Sequence, residues 1–506
     1  MSETSLANLL GHLPASQLSI AIHNPTNGKK IYDLPQLPAS VVETSVAQAR
    51  EAQKLWGQVS PAERARVLLK THDLLMANQE RLIELLQLET GKAKSHAFEE
   101  VAGAYGAARY FGKIASKTLK ARRTKAGVPV LTKTWVEHTP LGVVGVITPW
   151  NYPLALTMLD VLPALASGNA VVQKADNQTA LTVLFARHLA LQAGLPAGTW
   201  TIVVGDGAEV GNAITDTADY VAFTGSTATG RMVAERAAKR LIGYSLELGG
   251  KNPMIVLEGA NLKRAADLAL AGAFGSAGQL CVSLERVYVP NHLKDAFSAE
   301  LASRTQKLTV GASKHFDMDM GTLSGQAQLD RVSGFVEQAI ESGAKVVAGG
   351  HALPEHGPYF YAPTVITDVT SAANLYRKEV FGPLLAIAGY DSIEEAIELA
   401  NDTEYGLNAS VVGPKQEALR VASQLMAGSV NINEGFRATF ASMESPMGGM
   451  KNSGMGRRNG VEGLLRFTET RTVGIASGIL RLPLRAKDYN QMAPLMVLLM
   501  KALRRF

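Results

Sequence analysis

Three side chains in this chain supply the parts that covalent chemistry at a carbonyl carbon needs. The only cysteine among 506 residues, Cys281, ends the run Ser276-Ala277-Gly278-Gln279-Leu280-Cys281. Glu247 stands upstream in Leu246-Glu247-Leu248-Gly249-Gly250-Lys251-Asn252-Pro253, and Asn151 stands in Thr148-Pro149-Trp150-Asn151-Tyr152-Pro153. A thiol is a nucleophile, a carboxylate is a base, and a carboxamide can donate to a developing oxyanion. Each also has an ordinary structural reading. A lone cysteine is more often inert and buried. A glutamate at a strand end is usually solvated or salt-bridged, and an asparagine among prolines is a common turn former. The surroundings favour chemistry. Gly275, Ser276, Ala277 and Gly278 clear the approach to the thiol. Backbone N–H groups in such a loop can lower a thiol pKa and hold a negative oxygen. Glu247 is bracketed by leucines and followed by a glycine pair, which suits a base in a partly dry cleft. Lys251, close behind, is its alternative structural partner.

A second group of residues suits an anionic ligand. Phe223-Thr224-Gly225-Ser226-Thr227-Ala228-Thr229-Gly230 follows a strand pattern and opens a helix pattern. Gly225 permits a sharp turn, Ser226 can cap the helix, and a helix N-terminus attracts an anion. The glycine spacing is not that of the six-residue dinucleotide fingerprint. Lys174 ends a strand and begins Lys174-Ala175-Asp176-Asn177, where it can meet ribose hydroxyls or a phosphate. A solvated turn lysine is an equally good reading of that motif alone.

The elements that position these residues alternate. Short apolar runs at Val143–Ile147, Ala170–Lys174, 201–204 and 220–223 read as strands. Helical patterns at 155–166, 179–193 and 228–239 lie between and after them, which predicts a doubly wound parallel sheet. The pattern repeats after Pro253, with strands at 254–257, 285–289, 345–348 and 409–412 and a helix at 262–274 capped by Asn261. Residues 61–87 read as one amphipathic helix, 97–111 as another, and 132–138 as extended chain.

Composition excludes several classes. The apolar fraction is 46% and the charged fraction 19%, as in ordinary globular domains. A net charge of +5 gives no argument for nucleic acid. One cysteine rules out an internal disulfide framework and any Cys-based zinc site, and no metal is expected. No run reaches the ~20 apolar residues of a membrane span. The N-terminus shows no signal-peptide pattern, so a cytoplasmic location is expected, where the thiol stays reduced.

Together these motifs resemble the aldehyde dehydrogenase superfamily from about residue 40 to residue 473. Further matching runs are Glu379-Val380-Phe381-Gly382-Pro383 and Pro446-Met447-Gly448-Gly449-Met450-Lys451-Asn452-Ser453-Gly454. Within the family the chain is most similar to bacterial NADP-type succinate-semialdehyde dehydrogenases. The resemblance implies an α/β fold with a Rossmann-like doubly wound NAD(P)-binding domain (1–126 and 141–250), an α/β catalytic domain (251–445) and a small β oligomerisation arm (127–140 and 468–485). It implies Cys281 as nucleophile, Asn151 with the Cys281 backbone N–H as oxyanion donors, and Glu247 as the base for thioester hydrolysis. It places Glu379 on the nicotinamide ribose, Phe381 near the ring, Trp150, Gly225, Ser226 and Leu248 in the cofactor site, and Lys174 and Asn177 near the adenosine ribose. NAD-preferring members commonly carry glutamate where this chain has Asn177. That carboxylate would repel a 2′-phosphate, so NADP is expected, with NAD also usable.

Two departures bear on the substrate, for which succinate semialdehyde is the best single expectation. Many members have glutamate where this chain has Arg458, so a proton-relay role cannot be carried over. The arginines that pair with a substrate carboxylate in several relatives correspond to Leu159 and Gly275. Arg437, with Phe436 beside it, is the candidate substitute. Without a free cation an uncharged aliphatic or aromatic aldehyde fits better. A CoA-acylating enzyme is disfavoured by Glu247, and a non-catalytic protein retaining the fold by the intact Cys281, Glu247 and Asn151 set. A homodimer or homotetramer is expected. The tail 486–506 is apolar through Met492–Met500 and then basic. Packing on a neighbouring subunit is its favoured reading, with peripheral membrane contact second.

Overall fold

The structure, a computed structural model, describes residues 3–125, 132–476 and 485–504. Positions 127–131 and 477–484 of the expected arm, and Arg505 of the basic tail, lie outside the described residues. The chain divides into two compact units, Met1–Thr118 with Pro140–Thr468, and Leu119–Thr139 with Glu469–Phe506.

The first unit contains both predicted sheets. One has six strands in the order Gly454–Met455, Gly243–Glu247, Tyr220–Thr224, Val143–Ile147, Ala170–Lys174, Trp200–Val203. All its pairs are parallel except that of Gly454–Met455. Val143–Ile147 and Ala170–Lys174 are buried throughout, as strands covered on both faces must be. Gly145 interrupts the valines for a steric reason. A β-carbon there would stand 2.3 Å from the Cγ2 of Ile214, on the helix Gly207–Thr217.

Register sets Ile147 beside Lys174 and Phe223, Lys174 beside Val203, and Thr224 beside Glu247. The strands therefore finish on one edge. The turns that carry Asn151, Asn177, Ser226 and Leu248 line up along it, where open α/β sheets bind ligands.

The second sheet has seven strands, ordered Lys345–Ala348, Thr364–Thr367, Leu384–Tyr390, Leu284–Pro290, Asn252–Val256, Asn408–Val412, Ser429–Ile432. Only the pair Lys345–Ala348 and Thr364–Thr367 is antiparallel. The helix Leu262–Phe274 packs on this sheet and starts at Asn261, whose Oδ1 accepts from the Arg264 N–H at 3.0 Å.

One predicted helix is two. Residues 61–87 fall in Pro61–Ala77 and Gln79–Thr90, because Asn78 leaves helical geometry at φ −108° and ψ 19°. Its side chain donates to the Leu74 carbonyl at 2.8 Å, the local competition with backbone bonding that asparagine brings.

The second unit has a sheet of three strands, ordered Thr468–Ala476, Thr132–Pro140, Arg122–Thr124, and a helix Tyr489–Leu503. Leu495, Val497, Leu498 and Met500 of that helix are exposed. Among the described residues no helix is long and apolar enough to cross a membrane.

Candidate active site

The helix Leu262–Phe274 ends at Gly275, and Ser276, Ala277 and Gly278 follow with φ of 50°, 56° and 69°. Two of these left-handed residues are not glycine, so packing must impose the loop's shape. Gly278 is obligatory, since a β-carbon there would stand 2.1 Å from the Gly382 carbonyl oxygen. Asn252 Nδ2 donates to the carbonyls of Cys281 at 2.8 Å and Ser283 at 2.7 Å. The Tyr152 hydroxyl and Ser276 Oγ bond at 2.8 Å, and Gln279 Oε1 accepts from the Ser324 N–H at 2.9 Å. These ties fix the backbone that presents Cys281.

Asn151 approaches the same loop. Its Nδ2 donates to the Gln279 carbonyl at 2.9 Å, which engages one of its two N–H bonds. Its Oδ1 is buried and has no partner among the described residues. The turn is held from behind by a buried ion pair. Lys92 Nζ donates to the Asn151 carbonyl at 2.8 Å and pairs with Glu100, whose Oε1 accepts from the Leu154 N–H at 2.8 Å.

Glu247 is buried at the end of its strand, and its Oε1 lacks a hydrogen-bond partner among the described residues. Burial pushes its carboxyl up to about 7, opposed by the charges of Arg458 and Arg466. The Cys281 thiol is pushed up to about 12 by burial, then by the carboxylates of Glu247 and Glu379. The Val282 N–H acts in the opposite direction but is outweighed, so the loop does not lower the thiol's pKa as its sequence suggests. The thiol rests neutral beside a carboxyl that titrates near neutrality.

Lys251 is not the partner of Glu247. Its ammonium is buried against Glu285 Oε2 at 2.6 Å. Glu285 also accepts from the N–H groups of Val380 at 2.9 Å and Phe381 at 3.0 Å, fixing a turn where Phe381 has φ 60°. Removing one member of such a buried pair costs about 3–5 kcal/mol. No motif marks Glu285.

The expected cofactor residues gather along the sheet edge. Glu379 Oε1 accepts from the Gly250 N–H at 2.9 Å, and only a glycine at 249 permits this, since a β-carbon there would stand 2.5 Å from Glu379 Oε2. Phe381 meets Trp150 edge to face, with centroids 5.7 Å apart. Ser226 Oγ accepts from the Thr229 N–H at 3.2 Å and caps the helix Thr227–Lys239. The Gly225 N–H donates to the Glu247 carbonyl at 3.1 Å, and Leu248 packs on that helix at Gly230. Lys174 is buried at its strand end, and Asn177 Oδ1 accepts from the Gly205 N–H at 3.0 Å, leaving its amino group. A capped helix N-terminus, an ammonium, an aromatic edge and a neutral residue at 177 fit a phosphorylated dinucleotide. Among the described residues no group of His, Cys, Asp and Glu is arranged to hold a metal ion.

A cavity of ~520 Å³ opens beside Leu280, walled by Phe98, Tyr110, Tyr152, Phe436 and Phe440. Arg437 lines it, but its Nε donates to Glu99 Oε1 at 3.1 Å, so its charge is already matched. Arg109 and Glu444 also line the cavity, again one charge of each sign.

The sequence profile described as the Aldehyde dehydrogenase family matches residues 12–473. A protein of Mycobacterium ulcerans (strain Agy99), provisionally named succinate-semialdehyde dehydrogenase [NADP(+)] 2, is 48% identical over 450 residues, 89% of this chain and 87% of its own. A protein of Mycolicibacterium smegmatis with the same kind of name is 47% identical over 447 residues, 88% of this chain and 86% of its own. Among solved structures, betaine aldehyde dehydrogenase from Staphylococcus aureus in complex with NAD+ superposes with a TM-score of 0.89 at 30% identity, covering 96% of this chain and 99% of that one. An NADP-dependent enzyme of E. coli superposes with a TM-score of 0.87 at 34% identity, covering 91% of this chain and 95% of that one.

Proposed function

This chain belongs to the aldehyde dehydrogenase family, and from that premise we propose that it oxidises an aldehyde to its carboxylic acid with NADP as preferred cofactor, through a thioester on Cys281. One observation carries the reading. The only thiol stands in the loop that the Asn151 amide bonds, and the charge of a buried Glu247, whose Oε1 has no partner among the described residues, acts on it.

The steps follow from the residues. Cys281 sulfur bonds to the aldehyde carbon while its proton passes to a base, and Glu247 is the neighbouring one. The carbonyl oxygen becomes an oxyanion, met by the free N–H of Asn151 and the Cys281 backbone N–H. A bound oxidised nicotinamide supplies the acceptor for the hydride that this carbon gives up, and a thioester remains on Cys281. Glu247, once it has passed the thiol's proton to solvent, takes a proton from water, the resulting hydroxide adds to the thioester carbon, and the carbon–sulfur bond breaks to free the acid and leave Cys281 as thiolate. Trp150, Lys174, Asn177, Gly225, Ser226, Leu248, Glu379 and Phe381 hold the cofactor in this account. Asn177 brings no carboxylate against a 2′-phosphate, and two relatives carry NADP(+) in their names.

Succinate semialdehyde is the first reading of the substrate, supported by the names of relatives at 47–48% identity. An uncharged aliphatic or aromatic aldehyde is the second, supported by the aromatic cavity walls and by Arg437 being paired with Glu99. The sheet of the second unit serves as the oligomerisation arm in a dimer or tetramer, and a cytoplasmic setting keeps Cys281 reduced. The test is kcat/KM for succinate semialdehyde, hexanal and benzaldehyde with each cofactor. Strict use of NAD would sink the cofactor assignment. A preference for hexanal or benzaldehyde would replace the first substrate reading with the second.

A further inference from the structure

We infer that Arg458, Arg466 and Asp160 form a buried cluster of net positive charge on the sheet face that Glu247 occupies, so that these are positioning residues for the base. The inference rests on the role given to Glu247 above. Arg458 is 1% exposed, and its Nε donates to Asp160 Oδ1 at 2.9 Å. Its NH2 group reaches both Asp160 Oδ2 and Thr224 Oγ1. Arg466 pairs with the same Asp160 and donates to Ser245 Oγ at 3.0 Å. Two guanidinium groups against one carboxylate leave a positive charge unmatched in a dry site, which calls for an anion.

Strand geometry identifies that anion. Ser245 and Glu247 are two residues apart on one strand and share a face. Thr224 is the direct neighbour of Glu247 on the next strand. Guanidiniums that grip Ser245 and Thr224 therefore lie on the face that Glu247 occupies. Among the described residues no hydrogen bond reaches Glu247 Oε1, and the guanidiniums act on it by charge. The charged and titratable groups acting on Glu247 are Arg457, Arg458 and Arg466 from one segment, Asp160 from the helix Pro153–Ala166, and Cys281 from its loop.

The test exploits sign. In the pH profile of kcat/KM for NADP-linked aldehyde oxidation, Arg458→Gln and Arg466→Gln should move the acid limb up by about one pH unit. Asp160→Asn should move it down, and Arg458→Lys should restore the wild-type position. A merely structural role would lower rates without opposite shifts. Should Arg458→Gln fail to fold, Arg466→Gln and Asp160→Asn still carry the sign comparison. Limbs that stay put, or all move one way, overturn the inference. Failure of the underlying reading looks different: Glu247→Gln would then keep the wild-type rate and pH profile.

Discussion

Beside Leu280, the residue before Cys281, lies an aromatic cavity with the ion pair of Glu99 and Arg437 on its wall. Acting on Cys281 itself are the carboxyls of buried Glu247 and half-buried Glu379, both pushed up to about 7, Glu379 bonded by a backbone N–H and Glu247 without a partner on Oε1 among the described residues. The cavity side makes no demand on protonation and can only select by shape and polarity. The carboxyl side stores uncompensated polarity, which costs stability and is retained where chemistry needs it. Within that side the two glutamates also differ. Glu379 is anchored to Gly250, as a residue that orients a ligand should be, and Glu247 keeps its Oε1 without a partner among the described residues, as a base can.

Substitutions on the two sides should therefore differ by orders of magnitude. Cys281→Ser should lower kcat for aldehyde oxidation by at least ~10³-fold with little change in thermal stability, because a hydroxyl is a far weaker nucleophile. Activity within tenfold of wild type would erase the contrast. Asn151→Ala should cost about 10²–10³-fold in kcat with KM nearly unchanged, since its N–H acts only as charge develops. A loss confined to KM would move Asn151 to the cavity side. Glu99→Gln should give the smallest effect. It frees Arg437, and kcat/KM for succinate semialdehyde relative to hexanal should rise about 5- to 10-fold, equal to roughly 1 kcal/mol of exposed charge pairing. No change in that ratio would remove Arg437 from substrate selection.

The parts legible in the sequence were local. Asn261 announced its helix, and the valine runs at 143–147 and 170–174 announced buried strands. Thr364–Thr367, Leu384–Tyr390 and Ser429–Ile432 are short strands without alternation, and nothing in their composition separates them from other apolar runs. Asn78 looked like one more residue in a helical run, yet it ends one helix and precedes the next. The site's visible residues stand on glycine-marked turns. Its supports do not. Lys92 with Glu100 holds Asn151, Lys251 with Glu285 holds the Phe381 turn, and Arg458 reaches Asp160 across 298 positions of sequence. Such ion pairs are made by the fold, and no spacing rule finds them. Arg437 shows the converse. Its type suggested a carboxylate receptor, and only the structure reveals the glutamate already on it.

Hydrolysis of a Cys281 thioester by Glu247 can be followed by intact-protein mass spectrometry of Glu247→Gln mixed with aldehyde and NADP. One equivalent of reduced cofactor is expected, formed more slowly than in wild type because the thiol has lost its neighbouring base, then a persistent acyl mass on the protein that is absent when Cys281 is also replaced. Free acid released at the wild-type rate, with no added mass, would contradict it.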